Sequence, residues 1–240
     1  MASSPYKRVL LKISGESLAG ESGSGFDFTV LNNMADIIKK CHETGAQIAI
    51  VVGAGNLWRG VKNGTGRLDR TRADHMGMLG TVMNAIALSE VIGQKGVPTA
   101  VMTAVEMHPF AEPFSRDKAI SHLENGRVVV FGCGSGIPLC STDTAAILRA
   151  VEINADIALL AKNIDGVYDK DPRKNPDAKK IDVLTYSEII AKRLGVVDTS
   201  AACMADENNM PALLFDANNP ENIYRAILGE NIGSVVRKEI

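Results

Sequence analysis

The sequence lacks the cysteine patterns that mark metal-binding or disulfide-stabilised proteins. Its four cysteines, Cys41, Cys133, Cys140 and Cys203, form no Cys-x-x-Cys pair and have no nearby histidine pattern. We therefore expect reduced thiols and no metal site held by protein ligands. No apolar run reaches the roughly 18 residues that a membrane helix requires, and the first five residues are too few and too polar for a signal peptide. These absences predict a cytoplasmic protein with no membrane partner.

An excess of positive charge is missing as well. The formal net charge is −2, whereas nucleic-acid-binding domains are usually basic, so we expect no nucleic-acid partner and only a focused site for any phosphate group. The sequence contains no Gly-x4-Gly-Lys-Ser/Thr loop, no dinucleotide-binding glycine spacing, and neither a His-Glu-x-x-His nor a Gly-x-Ser-x-Gly element. P-loop kinases and hydrolases are therefore disfavoured.

Hydrophobic residues make up 45% of the 240 positions, which is enough to bury a substantial core. Short apolar runs alternate with stretches of helical periodicity, and this pattern predicts an α/β fold, a three-layer α/β/α sandwich with a largely parallel central sheet. The predicted strands cover residues 8–13, 47–52, 99–103, 127–131, 157–161, 212–215 and 234–236. The predicted helices cover roughly residues 29–43, 73–95, 116–124, 141–154, 187–194, 201–208 and 220–228.

Three glycine-rich turns, at residues 12–16, 53–56 and 132–136, each follow a predicted strand. Glycine lets backbone N–H groups approach an anion closely, and a turn between a strand and a helix directs those donors and the helix dipole at one point. Three such turns predict a large ligand that carries several negative charges.

Charged residues beside these turns are candidates for phosphate chemistry. Lys12 stands near the end of the first predicted strand, where its ammonium can reach a phosphate held by the adjacent turn, although a strand lysine otherwise usually faces solvent. Ser141 and Thr142 begin a predicted helix, so backbone donors, two hydroxyls and a helix N-terminus converge there. Asp143 would repel a phosphate in direct contact. It therefore orients a lysine such as Lys12, helps to hold a metal, or caps the helix.

The second turn continues into Trp58 and Arg59. The planar guanidinium of Arg59 suits phosphate oxygens, whereas we expect Trp58 to pack rather than to stack on a base. Asp74 stands at the start of a long predicted helix, where it either caps the helix or accepts hydrogen bonds from a sugar or a base. An apolar stripe in the same helix predicts either core packing or a subunit interface. The stripe consists of Met76, Leu79, Met83 and Ile86.

Six short segments follow one another along nearly the whole chain. They are Lys-x-Ser-Gly-Glu at 12–16, Gly-x-Gly-Asn-x-Trp-Arg-Gly at 53–60, Asp-His-Met-Gly-Met at 74–78, Ser-Thr-Asp-Thr-Ala-Ala at 141–146, Ile-Asp-Gly-Val-Tyr at 164–168 and Asp-Pro at 171–172. In this order and spacing they resemble the bacterial uridylate kinases, a family of the amino acid kinase superfamily. The Asp-His-Met-Gly-Met segment separates that family from carbamate, acetylglutamate and aspartate kinases.

The resemblance implies an amino acid kinase (carbamate kinase-like) fold in one domain over residues 1–240, with a nucleoside monophosphate lobe at roughly 1–155 and an ATP lobe at roughly 156–240. It implies transfer of the γ-phosphoryl group of ATP to UMP, giving UDP and ADP, in pyrimidine nucleotide biosynthesis. Mg²⁺ would bind through the ATP phosphates. It also implies a homohexamer, activation by GTP and inhibition by UTP.

The resemblance also assigns site residues. Lys12 and Asp143 would be catalytic. The ATP-binding residues would be Lys12, Ile13, Ser14, Gly15, Gly55, Arg59, Lys162, Asn163, Tyr168 and Asp171, with Lys162 and Asn163 as alternatives for the contact on the adenine side. The UMP-binding residues would be Gly53, Ala54, Asp74, Ser135, Gly136, Ile137, Pro138, Leu139, Cys140, Ser141 and Thr142.

The sequence departs from the family pattern at five of these positions. Ala54 replaces a glycine, Ser135 replaces a threonine, and Ile137, Leu139 and Cys140 stand where Asn and aromatic residues are more usual. These changes bear on nucleotide affinity or base discrimination and not on the reaction. Two alternatives stay open: a kinase of the same superfamily that acts on a carboxylate or carbamate, and a nucleotide sensor without catalysis.

Overall fold

The structure, a computed structural model, describes residues 2–58 and 68–239. In these ranges the α-helices are α1 Phe28–His42, α2 Arg70–Gln94, α3 Arg116–Glu124, α4 Thr142–Glu152, α5 Tyr186–Ala191, α6 Thr199–Glu207 and α7 Glu221–Ile227. The strands are β1 Arg8–Ile13, β2 Gln47–Val52, β3 Thr99–Thr103, β4 Glu112–Pro113, β5 Val128–Gly132, β6 Ile157–Lys162, β7 Val167–Tyr168, β8 Lys180–Ile181, β9 Val183–Thr185, β10 Ala212–Asp216 and β11 Ser234–Arg237.

The central sheet has nine strands in the order β4-β3-β5-β2-β1-β6-β10-β11-β9. Each neighbouring pair is parallel except β10 and β11, which are antiparallel, and β7 and β8 form a separate antiparallel pair. The predicted strands are therefore confirmed, with small differences at their ends. The sequence did not predict β4, β7, β8 and β9, because two or three residues are too few to show an apolar pattern.

Helices cover both faces of this sheet. The core on one face receives side chains from α1, α2 and α7. The core on the other face receives side chains from α3, α4, α5 and α6. Because side chains alternate along a strand, Val9 and Leu11 of β1 belong to the first core and Leu10 to the second. The predicted three-layer α/β/α sandwich is confirmed.

Helix α2 begins at Arg70, three residues before the predicted start, because Asp69 caps it by accepting a 3.2 Å hydrogen bond from the Arg72 N–H. By length and composition this helix could cross a membrane. Its inner face, however, is buried in the first core, where it packs against β3, β5 and α1. The apolar stripe lies on the outer face and is between 41% and 54% exposed, so the core interpretation of the stripe is wrong and a subunit interface stays a prediction.

The strand order places one edge of the sheet where a ligand is expected. β1 lies between β2 and β6, and the chain leaves β1 towards β2 on one side and reaches β6 later on the other. In open α/β sheets, ligands bind beyond the carboxyl ends of the strands at such a reversal of strand order. The three glycine turns follow β1, β2 and β5, so all of them lie at this edge.

Candidate active site

The first and second glycine turns are in direct contact. The Gly53 N–H donates to the Ile13 carbonyl at 2.9 Å. A Cβ atom placed on Gly15 would lie 2.5 Å from the Gly53 carbonyl oxygen and 2.7 Å from the Gly55 nitrogen, too close for any side chain. Glycine at position 15 is therefore required by the close approach of the two turns.

The start of α4, which follows the third turn along the chain, lies beside the second turn. A Cβ atom on Gly53 would lie 3.7 Å from the Thr142 hydroxyl oxygen. Ser141 caps α4, since its side chain accepts a 3.2 Å hydrogen bond from the Thr144 N–H. The cap is thus Ser141, and the alternative that Asp143 caps the helix is wrong.

Asp143 instead contacts two lysines. Lys12 Nζ lies 3.2 Å from Asp143 Oδ1, and Lys162 Nζ donates a hydrogen bond to Asp143 Oδ2. The side chains of Lys12, Asp143 and Lys162 are only 10%, 11% and 16% exposed. Lys12 pairs in register with Leu160 of β6, so Lys162, two residues further on, projects from the same face of the sheet. We call these three residues the lysine–aspartate cluster.

Attraction between the opposite charges of the cluster offsets the cost of burying them. Burial alone would raise the pKa of Asp143, but the charges and hydrogen bonds of the two lysines outweigh burial, and the pKa of this carboxyl is lowered. Burial is also the largest influence on Lys162 and lowers its pKa; the Lys12 charge adds to that effect, and Asp143 partly offsets it. With both lysines protonated, two ammonium groups against one carboxylate leave a positive charge that attracts anions.

Sequence reasoning missed the contact between Lys162 and Asp143. It placed Lys162 with Asn163 on the adenine side, whereas the structure directs the ammonium group at Asp143. The available indication was that Lys162, like Lys12, stands near the end of an apolar strand. That indication gains meaning only when β1 and β6 are known to be neighbours.

A small cavity of about 130 Å³ lies between α2 and the third turn. Seven predicted UMP-binding residues line it: Ala54, Asp74, Ser135, Ile137, Cys140, Ser141 and Thr142. The remaining lining residues had not been assigned to UMP, although Gly77 and Met78 belong to the Asp-His-Met-Gly-Met segment and Gly134 to the third turn. These residues are Ala73, Gly77, Met78, Thr81 and Gly134. Four predicted residues, Gly53, Gly136, Pro138 and Leu139, do not line it. Ligand pockets usually measure about 300–1,000 Å³, so only part of a nucleotide fits in this cavity.

Asp74 holds one wall of this cavity. Its carboxylate accepts a 2.9 Å hydrogen bond from the Leu139 N–H and another from Arg70 Nε at 2.9 Å. Leu139 has a positive φ of 68° and a side chain exposed to solvent, so the backbone at this position depends on its hydrogen bond to stay in place. Asp74 therefore does not cap α2, and the capping alternative is wrong.

Two further predicted positions bear on the second turn. Trp58 packs at the start of α2, where its Nε1–H donates to the Ala73 carbonyl at 2.8 Å. Arg59 lies outside the described residues. A third predicted residue, Ile13, belongs to the first turn. Its side chain is buried in the core, so a nucleotide could contact Ile13 only through its backbone.

A second cavity, of about 630 Å³, opens beside Lys162. Its lining includes all four residues predicted for this side of the ATP site: Lys162, Asn163, Tyr168 and Asp171. Tyr168 donates its hydroxyl to Asp165 at 2.9 Å, and Asp171 accepts a 3.0 Å hydrogen bond from the Arg173 N–H. The segment 192–196, which sequence reasoning did not single out, forms another part of the wall. The volume lies within the range of ligand pockets.

Comparison with known proteins finds a matching family and similar solved structures. Residues 7–216 match the model of the amino acid kinase family. The chain is similar to the UMP kinase from Bacillus anthracis, with 37% identity, a TM-score of 0.94 and 98% of each chain covered. It is similar to the UMP kinase from Ureaplasma parvum, with 33% identity, a TM-score of 0.91, and 99% of this chain and 100% of that chain covered.

A third solved structure, the uridylate kinase from Archaeoglobus fulgidus, is 29% identical, with a TM-score of 0.73 and with 95% of this chain and 99% of that chain covered. The family match includes all three glycine turns and the whole lysine–aspartate cluster. This chain belongs to the amino acid kinase family.

Proposed function

We propose that this protein is a nucleoside monophosphate kinase that transfers the γ-phosphoryl group of ATP to UMP, giving UDP and ADP. The lysine–aspartate cluster is the observation that carries the proposal, because it places positive charge at the first glycine turn and at the start of the helix that follows the third turn. One cavity opens beside Lys162 and another beside Thr142, on the two sides of that charge. The named activity of the similar proteins from B. anthracis and U. parvum supports UMP as the acceptor.

The chemistry of UMP explains why such a site needs no general base. The second pKa of a phosphate monoester is roughly 6, so the attacking phosphate is mostly dianionic near neutrality. The barrier then consists of charge repulsion and alignment between two anions. Lys12 and Lys162 would neutralise the transferring group, and Asp143 would hold both ammonium groups in place between the nucleotides.

The turns and the two cavities would hold the substrates on either side. We assign the phosphates to the backbone of Ser14 and Gly15 in the first turn, to Gly55 in the second, and to Arg59. On the ATP side, Asn163, Tyr168 and Asp171 line the larger cavity and Ile13 contributes backbone only. On the UMP side, we assign Asp74, Gly53, Ala54 and the segment 135–142, with Asp74 also fixing the backbone of that segment.

The site is compatible with Mg²⁺ that is bound by ATP and not by protein side chains. Within residues 2–58 and 68–239, no group of three His, Cys, Asp or Glu side chains is placed to hold a metal ion. Asp143 already pairs with Lys12 and Lys162, so we assign its carboxylate to the lysines. Bound through the ATP phosphates, Mg²⁺ would supply charge neutralisation between their oxygens.

The proposal extends to the setting of the enzyme. We assign the acceptor lobe to roughly residues 1–155 and the ATP lobe to roughly 156–240, within a cytoplasmic enzyme of pyrimidine nucleotide biosynthesis that binds neither membranes nor nucleic acid. We also propose a homohexamer that is activated by GTP and inhibited by UTP. The exposed apolar stripe on α2 supports association of copies, because contiguous exposed apolar residues usually mark interaction surfaces.

A product assay tests the reaction. The purified protein is incubated with ATP, Mg²⁺ and one acceptor at a time: UMP, CMP, acetylglutamate, aspartate or carbamate. We expect equal amounts of UDP and ADP with UMP, and a Lys12→Ala preparation serves as the control for contaminating kinases. Transfer to a carboxylate or carbamate, or ATP binding without transfer to any acceptor, would contradict the proposal.

A further inference from the structure

A buried pair of amides connects helix α2 to the second glycine turn. Asn84, in the middle of α2, is fully buried, and Asn56, at the end of the turn, is only 4% exposed. The two side chains exchange hydrogen bonds: Asn56 Nδ2 donates to Asn84 Oδ1 at 3.0 Å, and Asn84 Nδ2 donates to Asn56 Oδ1 at 2.7 Å. An amide that is buried must find partners for its polar atoms, and each of these amides supplies them for the other.

The remaining amide hydrogens reach two glycine carbonyls. Asn84 Nδ2 also donates to the Gly53 carbonyl at 2.6 Å, and Asn56 Nδ2 donates to the Gly25 carbonyl at 2.8 Å. A side-chain amide has two N–H donors, so both amides have used all of theirs. The Gly25 N–H returns a 2.9 Å hydrogen bond to the Asn56 carbonyl. The pair thus joins α2, the second turn and the loop before α1.

The acceptors of Asn84 also form the support of the first turn. A Cβ atom on Gly15 would lie 2.5 Å from the Gly53 carbonyl oxygen and 2.7 Å from Asn56 Oδ1. These two oxygens are the atoms to which Asn84 Nδ2 donates. A shift of either oxygen therefore changes the space in which the Gly15 backbone sits.

We propose that Asn84 and Asn56 are positioning residues that fix the distance between the first and second glycine turns, an inference that rests on the proposed phosphoryl transfer. Asn84 is fully buried and acts through Gly53, which is assigned to UMP, and through Gly15, whose backbone is assigned to the phosphates. A misplacement of about 1 Å at such a site can lower the rate by about 100-fold. The pair therefore sets the turnover rate more than the affinity for either nucleotide.

A purely structural role makes a different prediction. If the amides only attached α2 to the sheet, their loss would lower the amount of folded protein and leave the turnover of each folded molecule unchanged. Ser89 of α2 provides the matched control, because its hydroxyl hydrogen-bonds Thr99 Oγ1 of β3 at 2.8 Å and, among the described residues, is not hydrogen-bonded to the glycine turns. Ser89→Ala removes a partly buried hydrogen bond of the same helix without touching the second turn.

The test compares Asn84→Leu, Asn56→Ala, the double variant and Ser89→Ala, each corrected for its folded fraction by thermal unfolding. We expect kcat to fall about tenfold or more in Asn84→Leu and Asn56→Ala, with KM for ATP and UMP changed less than about threefold. The double variant should lose little more than the worse single variant, because each substitution breaks the same pair. Ser89→Ala should keep kcat within about twofold of the unaltered protein.

Hydrogen exchange tests the role of the amide pair without any substrate of the proposed reaction. Peptides that contain residues 13–16 and 53–56 should exchange faster in Asn84→Leu than in Ser89→Ala, because the Gly53 N–H bond to Ile13 lies between the two turns. If the unaltered protein forms no UDP, the proposed function fails, and this comparison still decides the role of the pair. If Asn84→Leu does not fold, Asn56→Ala removes both hydrogen bonds between the two amides from the side of the turn, although the Asn84 bond to Gly53 can remain, and it carries the same predictions.

Two results would overturn the inference. One is a kcat in folded Asn84→Leu or Asn56→Ala that matches Ser89→Ala, together with unchanged exchange at both turns. The other is a double variant whose loss equals the product of the two single losses, since independent effects multiply and a pair acting as a unit does not.

Discussion

The phosphate end and the ATP cavity of the proposed site are built in different ways. At the phosphate end, Lys12, Asp143 and Lys162 come from three separate elements and are nearly buried, and each lysine contacts Asp143. Around the cavity, Tyr168 hydrogen-bonds Asp165 three residues away, and Asp171 bonds the backbone two residues away. The first region depends on contacts between distant parts of the chain, and the second on hydrogen bonds between residues close together in the sequence.

This difference predicts where substitutions have large effects. Buried charges interact strongly because water screens them little, and removal of one leaves the others without a partner. Hydrogen bonds between exposed groups contribute little, since water replaces them. Substitutions at the phosphate end should therefore lower the rate of transfer, whereas substitutions around the cavity should have small effects on nucleotide binding.

The largest effect is expected for Lys12→Ala. We expect kcat to fall by about 100-fold or more, by analogy with the loss of one electrostatic donor at a transition state. Initial rates at saturating ATP and UMP measure the effect. Lys7→Ala, at an exposed lysine just before β1, is the matched control and should change kcat by less than about twofold. A folded Lys12→Ala protein with near-normal turnover would remove Lys12 from the mechanism.

Lys162 should come next. Lys162→Ala should lower kcat about tenfold or more, because the cluster then carries one ammonium against one carboxylate and loses its positive charge. A change confined to KM for ATP would instead return Lys162 to a role on the adenine side. Lys180→Ala is a suitable control, because that lysine pairs with Asp165 away from the cluster.

The pH profile of kcat sharpens the same point. Burial, with the Lys12 charge, lowers the pKa of Lys162, so the ammonium form is lost as pH rises through a value below the ordinary lysine range. We expect kcat to decline on the alkaline side at that pH. In Lys162→Arg the guanidinium stays charged because its pKa lies far above that of an ammonium, so the decline should move to higher pH. Identical alkaline limbs in the two proteins would show that another group causes the decline.

Asp74→Asn tests the wall of the small cavity that we assign to UMP. The charged carboxylate accepts the Leu139 N–H at 2.9 Å, and a neutral amide oxygen is a weaker acceptor. We expect KM for UMP to rise about tenfold, equivalent to about 1.4 kcal/mol, with KM for ATP within about twofold. Arg70→Gln, which removes only the exposed partner of Asp74, should have a smaller effect. Equal weakening of both substrates would contradict the assignment of Asp74 to UMP.

The sequence predicted the parts of the fold that repeat a local pattern. The apolar strands, the helices and the three glycine turns were visible because each is encoded by neighbouring residues. The carboxyl-edge location of Lys12 followed from the same local pattern. Helix α2 was predicted to start three residues late, because Asp69 and not Asp74 supplies the cap.

Contacts between distant segments were not predictable in the same way. The bond from Lys162 to Asp143 depends on β6 lying beside β1, and the Asn56–Asn84 pair depends on α2 covering the second turn. Asp74 contacts Leu139, 65 positions later in the chain, through a backbone atom that every residue type except proline provides. The type of a residue does not indicate its partner in a distant segment. The candidate side chains could therefore be identified from the sequence, but the contacts between them could not.

The smallest effect is expected at the ATP cavity. Tyr168→Phe removes only the hydroxyl that donates to Asp165 at 2.9 Å in an exposed position. Because this hydrogen bond is exposed, we expect it to contribute near the lower end of the usual range of about 0.5–1.5 kcal/mol. KM for ATP should therefore rise no more than about threefold, and kcat should stay unchanged. Tyr224→Phe, at a tyrosine that packs beside Lys40 and lines neither cavity described above, provides the matched control. A fall in kcat as large as that of Lys162→Ala would mean that the exposed loops govern the transfer step. The contrast between a buried end that sets the rate and an open cavity where substitutions have only small effects would then be wrong.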